Sequence, residues 1–160
     1  MKNETIYLED TKFIYRTNFA GDPSKDKYGN GARRGNIIIP TQEQAEKIKE
    51  LGIAVKETKP RDGEEAGFVP TYYMPVIINY TSESGRNRPP KVYLVSGNYG
   101  PVLLDEESVG QIDYIYVVGV DATIEIAYLP KYDRHAAYVR TMYVRQDVDE
   151  DPFATKYAVE

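Results

Sequence analysis

Runs of β-branched and aromatic residues, separated by clusters of Gly, Pro, Asn and Asp, fill most of this chain and constrain its fold more than any other feature. Residues 6–19 are predicted to form a strand, because Phe13, Tyr15, Thr17 and Phe19 alternate with residues of the opposite face, which are Lys12, Ile14 and Arg16. Further strands are predicted at residues 35–40, 71–80, 91–96, 111–129 and 136–146, with a less regular one at 53–59. These strands predict a mainly β domain, either a closed or nearly closed antiparallel barrel or, as the alternative, a sandwich.

One segment, residues 41–52, has the pattern of a helix instead. Thr41 and Gln44 have the spacing of a capping box, and Ala45 and Ile48 recur on one face. Gly52 stands where a helix would end. The barrel is therefore expected to carry one inserted helix, at about residues 41–52.

Two connecting segments are rich in cations. Residues 21–35, GDPSKDKYGNGARRG, read as a long loop, and long loops inside small domains are often functional. Residues 82–90, SESGRNRPP, separate two predicted strands, so residues 71–96 are expected to form a hairpin whose tip carries Arg86 and Arg88. Gly119, inside the long run 111–129, predicts a bulge or bend.

The residues that most enzymes need are scarce. The chain has no cysteine and one histidine, His135, so thiolate metal sites, Cys-His pairs and Ser-His-Asp triads find no support. The Gly-rich segment 29–35 lacks the lysine and hydroxyl of a phosphate-binding loop, and the acidic residues 147–151 lack the Gly of a calcium loop. Glu57 and Lys59 have a spacing found in some nucleases, which a charged strand often shows by chance. We expect no catalysis, no cofactor and no metal.

Charge is distributed unevenly along the chain. The net charge is −5, yet residues 11–91 carry 14 Lys and Arg against 10 Asp and Glu, whereas residues 92–160 carry 5 against 12. Attraction to phosphate decays over about 8–10 Å in physiological salt, so a basic groove on an acidic protein can still bind a polyanion. No apolar run is long enough to span a bilayer and no leader pattern is evident, so we expect a cytoplasmic protein.

Cations alternate with aromatic rings in several segments, and the chain has 15 Tyr but no Trp. Single-stranded nucleic acid is bound by this combination, because Lys and Arg neutralise phosphates while rings stack on bases. The candidate DNA-binding residues are Lys12, Arg16, Lys27, Tyr28, Arg33, Arg34, Tyr80, Arg86, Arg88, Lys91, Tyr132 and Arg134. From the residues alone, Arg34 could equally be a solvated loop cation and Tyr132 a surface ring in a turn.

The order of segments resembles the single-stranded DNA-binding proteins of T7-like bacteriophages. The resemblance lies in NGARRGNIIIP (residues 30–40) followed directly by a helix, in KVYLVSG (residues 91–97), in Leu-Pro-x-Tyr (residues 129–132), and in an acidic C-terminal tail. It implies an OB fold, a phosphate contact at Arg34 and base stacking at Tyr132, with Tyr80 as a further stacking candidate. It also implies roles in phage DNA replication and recombination, replication proteins as partners of the tail, and a possible homodimer. Here the tail is short and continues past Phe153, which departs from the family pattern.

These observations predict an OB-fold domain at residues 1–146 and an acidic tail at residues 147–160. The predicted function is sequence-tolerant binding of single-stranded DNA, in the host cytoplasm if a phage encodes the chain. The alternative is a non-enzymatic β-barrel or sandwich that acts as a protein-interaction module, such as a virion or assembly component, with its tyrosines in a protein interface. The salt dependence of affinity distinguishes these two functions. Counterion release makes DNA binding weaken steeply as salt rises, whereas binding through an apolar protein interface should barely respond.

Overall fold

A computed structural model describes residues 4–25, 31–60, 63, 65–80, 89–97 and 100–147. The strands are β1 (Glu4–Thr11), β2 (Phe13–Asn18), β3 (Arg34–Ile39), β4 (Lys56–Glu57), β5 (Tyr72–Ile77), β6 (Lys91–Ser96), β7 (Val102–Leu104), β8 (Val117–Leu129) and β9 (Arg134–Gln146). The helix α1 spans Gln42–Glu50, and two 3₁₀ helices span Pro23–Lys25 and Val109–Tyr114. No helix in the described parts of the chain is long and apolar enough to cross a membrane.

The strands wrap into a nearly closed barrel. Neighbouring strands follow the order β1-β8-β9-β5-β3-β2, and β6 continues along β9. The two ends of this path, β1 and β2, are separated in the chain by Lys12 alone, whose carbonyl accepts a hydrogen bond of 2.9 Å from Ile38 N in β3. One bent strand therefore contributes to both edges of the sheet, which is the arrangement of an OB fold.

The expected mainly β, OB-fold-like barrel with one inserted helix is confirmed, while its strand pairing differs in detail. The ladders β5–β9 and β6–β9 are parallel, and the others are antiparallel. The hairpin predicted for residues 71–96 is wrong, because β5 and β6 both lie along β9 instead of pairing with each other. A β-branched run specifies a strand but not its partner, and a turn-rich connector fits a crossover as well as a hairpin.

The helix and the bulge follow their sequence signals. Thr41 Oγ1 accepts from Gln44 N at 3.2 Å, and Ala45 and Ile48 are buried against the sheet. Gly52 follows the helix at φ 96°, a conformation that glycine adopts without steric cost.

The β8–β9 register shifts between Val117 and Gly119, where the bulge was expected. The core is formed by inward residues of both halves of the barrel, among them Leu8, Phe19, Ile37, Met74, Ile124 and Met142.

Candidate nucleic-acid interface

The outward face of β2, β3, β5 and β9 carries the candidate site. Strand register aligns Asn18, Arg34, Ile77 and Tyr138 in one row across these four strands. Because paired residues point to the same side of a sheet, this row faces outward as a unit. Two open cavities lie on it, one at each side of Arg34.

The first cavity, here called the loop groove, has a volume of about 450 Å³. It lies between the loop that precedes β3, the end of β5 and the turn that joins β8 to β9. Its charged and aromatic lining consists of Arg33, Arg34, Tyr80, Glu106, Tyr132, Arg134 and Tyr138. Cations and rings from distant parts of the chain therefore meet in one concave site.

Arg33 is held within the protein. Its Nη1 donates to the carbonyl of Phe19 at 2.7 Å, and its Nη2 lies 3.8 Å from Glu106 Oε1. The guanidinium also lies 5.8 Å from the centroid of the Tyr80 ring, within cation–π range. This side chain thus fixes the loop and positions Tyr80, with Glu106 as a carboxylate on the groove wall.

Arg34 and Tyr80 each present a buried polar atom without a partner in the described residues. Arg34 Nε and the Tyr80 hydroxyl are shielded from solvent and form no hydrogen bond there. Burial raises the pKa of the Tyr80 phenol, so its hydroxyl stays protonated and able to donate. A buried donor without an acceptor costs free energy, and a phosphate or base edge entering the groove would supply the acceptor.

Tyr132 stands at the tip of the β8–β9 hairpin and is 60% exposed. The turn is defined by a hydrogen bond of 3.1 Å from Tyr132 N to Leu129 O. Arg134 and Lys131 approach the Tyr132 ring, with distances of 5.3 and 5.6 Å to its centroid. A base stacked on this ring would lie beside two cations that can contact its phosphates.

The second cavity, here called the strand groove, has a volume of about 250 Å³ and shares Ala32 and Arg34 with the loop groove. Arg16 and Lys25 add two further cations to its lining, beside Asn36 and Pro75. The two grooves therefore form one continuous depression with Arg34 at the junction.

Asp113 anchors the segment that carries Lys25. Its carboxylate accepts hydrogen bonds from Thr17 Oγ1 at 2.6 Å, Phe19 N at 2.8 Å and Ala20 N at 2.9 Å. The next residue, Tyr114, accepts from Lys25 Nζ at 2.9 Å, and this hydrogen bond raises the pKa of Lys25. Lys25 is therefore held at the rim of the strand groove as a cation.

The structure brings together half of the residues that the sequence singled out. Arg16, Arg33, Arg34, Tyr80, Tyr132 and Arg134 line the two grooves. Lys12 and Lys91 line neither groove, since Lys12 lies between β1 and β2 and Lys91 begins β6 opposite Thr141. Lys27, Tyr28, Arg86 and Arg88 lie outside the described residues.

Sequence reasoning missed three contributors. Tyr138 belongs to a regular strand pattern, and only the pairing of β9 with β5 shows that it faces the groove. Glu106 and Asp113 lie in an acidic part of the chain that gave no reason to place them beside cations. The signals that reveal them are long-range contacts, which no local pattern encodes.

Comparison with known proteins identifies a family and a similar solved structure. A sequence model of the family described as "Putative phage ssDNA-binding domain" matches residues 1–159. Among solved structures, the chain is similar to the crystal structure of gp2.5, a single-stranded DNA binding protein encoded by bacteriophage T7, with 8% sequence identity and a TM-score of 0.42. That match covers 99% of this chain and 96% of the other. No curated protein matches the chain. The match of the family over nearly the whole sequence shows that the chain belongs to the phage ssDNA-binding domain family.

Proposed function

We propose that this protein binds single-stranded DNA along the two grooves, with little dependence on base sequence. The observation that carries the proposal is the meeting of Arg34, Tyr80 and Tyr132 in the loop groove, with buried polar atoms of Arg34 and Tyr80 lacking partners there. An OB fold binds oligonucleotides on the face of its second and third strands and on adjoining loops. In this barrel those strands are β3 and β5, which form the floor of both grooves.

Phosphate contacts and base stacking have separate residues in this proposal. Arg34 at the junction and Arg16, Lys25 and Arg134 around it neutralise phosphates, while Tyr132 and Tyr80 stack on bases. Every base has a flat face, so stacking discriminates weakly between sequences. Membership of the phage family supports single-stranded DNA as the ligand.

The net charge of −5 does not oppose this binding. Carboxylates that lie more than about 8–10 Å from the bound strand are largely screened in physiological salt. Within the loop groove the described carboxylate is Glu106, and it already faces Arg33 at 3.8 Å. Local cations therefore determine the potential that a phosphate meets.

The biological role we propose is in phage DNA replication and recombination, in the cytoplasm of the host. The protein would cover transient single strands by mass action, without a cofactor and without turnover. Residues 147–160 would form an acidic tail, separate from the binding domain at residues 1–146, that contacts replication proteins. A homodimer would be compatible with this role.

The test is fluorescence anisotropy with a labelled oligo-dT of about 16 nucleotides, the upper end of the site size of an OB fold, and with a duplex of the same length. We expect tighter binding to the single strand, with the logarithm of affinity falling linearly as the logarithm of salt concentration rises. Absence of binding at low salt would overturn the proposal. Binding that does not weaken as the salt concentration rises would overturn the assignment of the groove cations as phosphate contacts.

A further inference from the structure

A pair of tyrosines continues the candidate surface beyond the strand groove. The rings of Tyr15 and Tyr73 meet edge to face, with centroids 5.4 Å apart and planes at 79°. Tyr73 is two residues from Pro75, which lines the strand groove, so both point to the same side of β5. The tyrosine pair and the groove therefore share one face of the sheet.

Tyr15 reaches this face because β2 bulges. Ile14 pairs with Asn36 and Asn18 pairs with Arg34, so β2 carries two more residues than β3 over the same length. At the bulge Tyr15 adopts φ 62°, which is unusual for a residue with a side chain. Bulges often re-aim side chains near functional sites.

The contacts of Tyr15 within the fold do not clearly exceed the strain of its backbone. A left-handed backbone at a bulky residue costs on the order of 1–3 kcal/mol. The edge-to-face pair of rings contributes about 0.5–1.5 kcal/mol beyond its buried area, and the two side chains also share a hydrogen bond, yet Tyr15 remains 64% exposed. An exposed ring held in a strained conformation is the kind of feature that binding sites retain.

Cations flank the pair. Arg16, the next residue of the bulge, lines the strand groove. Lys56 pairs with Tyr73 across the β4–β5 ladder, so it lies on the same face. Lys12 lies opposite Ile38, the β3 partner of Tyr73, as the hydrogen bond to its carbonyl shows. The surface around the tyrosines thus has the charge that suits a phosphate backbone rather than an apolar partner.

We propose that Tyr15 and Tyr73 form a second base-stacking platform for the same DNA strand. The strand would run from Tyr132 through the loop groove, over Arg34 and the strand groove, to Tyr15. Tyr73 precedes Ile77 by four residues, so the platform extends the path by about 13 Å along β5. This inference rests on the proposed function, because it assigns additional length to the same binding site.

The absence of tryptophan from the chain allows a direct test. Three single-tryptophan proteins would be made: Tyr15→Trp, Tyr132→Trp as the reference for the loop groove, and Tyr7→Trp as the control. Tyr7 is a comparably exposed tyrosine, 69% accessible, on β1 away from both grooves. We expect oligo-dT of about 16 nucleotides to quench the first two and leave the third unchanged, because a stacked base quenches the indole beneath it.

A second variant tests the same inference through affinity. Tyr15→Gly removes the ring with its contacts to Tyr73 and relieves the positive φ, so its melting temperature should stay close to that of the wild type. It should weaken binding to the oligomer of about 16 nucleotides at least about fivefold, with a smaller effect on one of about 4 nucleotides that fits the loop groove alone. Tyr132→Ala should weaken both.

The outcomes separate the two proposals. Quenching in Tyr132→Trp without quenching in Tyr15→Trp, or unchanged binding of the long oligomer by Tyr15→Gly, overturns the second platform and leaves the proposed function standing. No quenching in any of the three proteins, together with no anisotropy change for the wild type, overturns both.

Discussion

Two surfaces of the barrel carry similar residues, and these residues make different contacts on each surface. The loop groove combines tyrosines and arginines, and so does the outward face of β6, β8 and β9, here called the paired face. That face carries Tyr93, Tyr143, Arg140, Arg145 and Glu125. There Tyr93 and Tyr143 stack on each other, with centroids 4.7 Å apart and planes at 11°. Arg140 lies 3.6 Å from Glu125, and Arg145 forms an ion pair with Asp10.

The comparison teaches that composition alone does not separate a proposed binding surface from a structural one, whereas the internal contacts of the same residue types differ between the two. On the paired face, rings pack on rings and cations meet carboxylates across neighbouring strands, so these contacts support the sheet. In the loop groove, Arg33 is engaged in the same way, but Tyr132 is largely exposed, and Arg34 Nε and the Tyr80 hydroxyl have no partner among the described residues. Arg145 Nε on the paired face is likewise unpartnered there, but the Arg145 guanidinium already forms an ion pair with Asp10. If this distinction is correct, equal substitutions on the two surfaces should have unequal effects on DNA binding.

The largest difference is expected between Tyr132→Ala and Tyr143→Ala. Loss of a stacking ring costs about 1–3 kcal/mol, so Tyr132→Ala should weaken oligo-dT binding by roughly 5- to 150-fold. Tyr143 stacks on Tyr93, so its loss should lower thermal stability and leave affinity nearly unchanged. Anisotropy titrations and melting curves of both variants provide the measurement. Equal losses of affinity would show that the two surfaces are not functionally distinct.

The next comparison pairs Arg34→Gln with Arg140→Gln. Arg34 lies at the junction of the grooves, and removal of its charge should weaken binding about tenfold. The slope of log affinity against log salt should decrease by about 1, the signature of one lost phosphate contact. Arg140 pairs with Glu125, so its substitution should leave both affinity and slope unchanged. A slope that stays constant in Arg34→Gln would exclude Arg34 as a phosphate contact.

A gain of affinity is expected from Glu106→Gln. The carboxylate is 58% exposed and lies 3.8 Å from Arg33, so in the proposed complex it would compete with phosphate for this guanidinium. An exposed ion pair contributes up to about 1 kcal/mol, so release of Arg33 should tighten DNA binding by at most about fivefold. Glu125→Gln removes a carboxylate that lies opposite Tyr138 but pairs with Arg140 and does not contact Arg33, so affinity should stay nearly unchanged. Titration at low and moderate salt measures this, and weaker binding by Glu106→Gln would show that the carboxylate supports the groove.

Much of the fold follows from local sequence patterns. The capping residues and Gly52 defined the helix, and β-branched runs located the long strands. Strand partners were not predictable, as the incorrect hairpin at residues 71–96 shows, because a run of Val, Ile and Tyr fits any neighbour. The break at Lys12 was also missed, since residues 6–19 were expected to form one strand and the structure divides them between β1 and β2. The shared face predicted for Phe13, Tyr15 and Phe19 is wrong, because the bulge in β2 turns Tyr15 outward while Phe13 and Phe19 pack together.

The candidate site was predictable in part for the same reason. Arg33 and Tyr132 lie in loops, and Arg34 and Arg134 are the first residues of β3 and β9. At such positions a cation or ring has no core to pack against and so indicates binding. Tyr138 lies in a strand, where a tyrosine is as often structural as functional. Only the register between β5 and β9 distinguishes it from Tyr143, five residues later.

The smallest effect, and the finest test of the comparison, is expected from Tyr80→Phe. The Tyr80 hydroxyl is buried without a partner in the described residues, so its removal should raise the free energy of unfolding by about 1 kcal/mol. A bound strand would supply the missing acceptor, so the variant should bind oligo-dT about twofold more weakly.

The pH dependence gives the same substitution a second readout. Burial raises the folded-state pKa of Tyr80 above the ordinary value of about 10. The phenol therefore ionises more readily in the unfolded state, and this difference lowers the free energy of unfolding once the pH rises above about 10. Wild-type affinity should therefore stay constant between about pH 7 and pH 9.5, where the phenol is neutral in both states. Above about pH 10 the wild type should lose more stability than Tyr80→Phe, as chemical denaturation at stepped pH would measure. Identical pH profiles for the two proteins would show that this hydroxyl is solvated, and the loop groove would then keep Arg34 Nε as its buried unpartnered atom among the described residues.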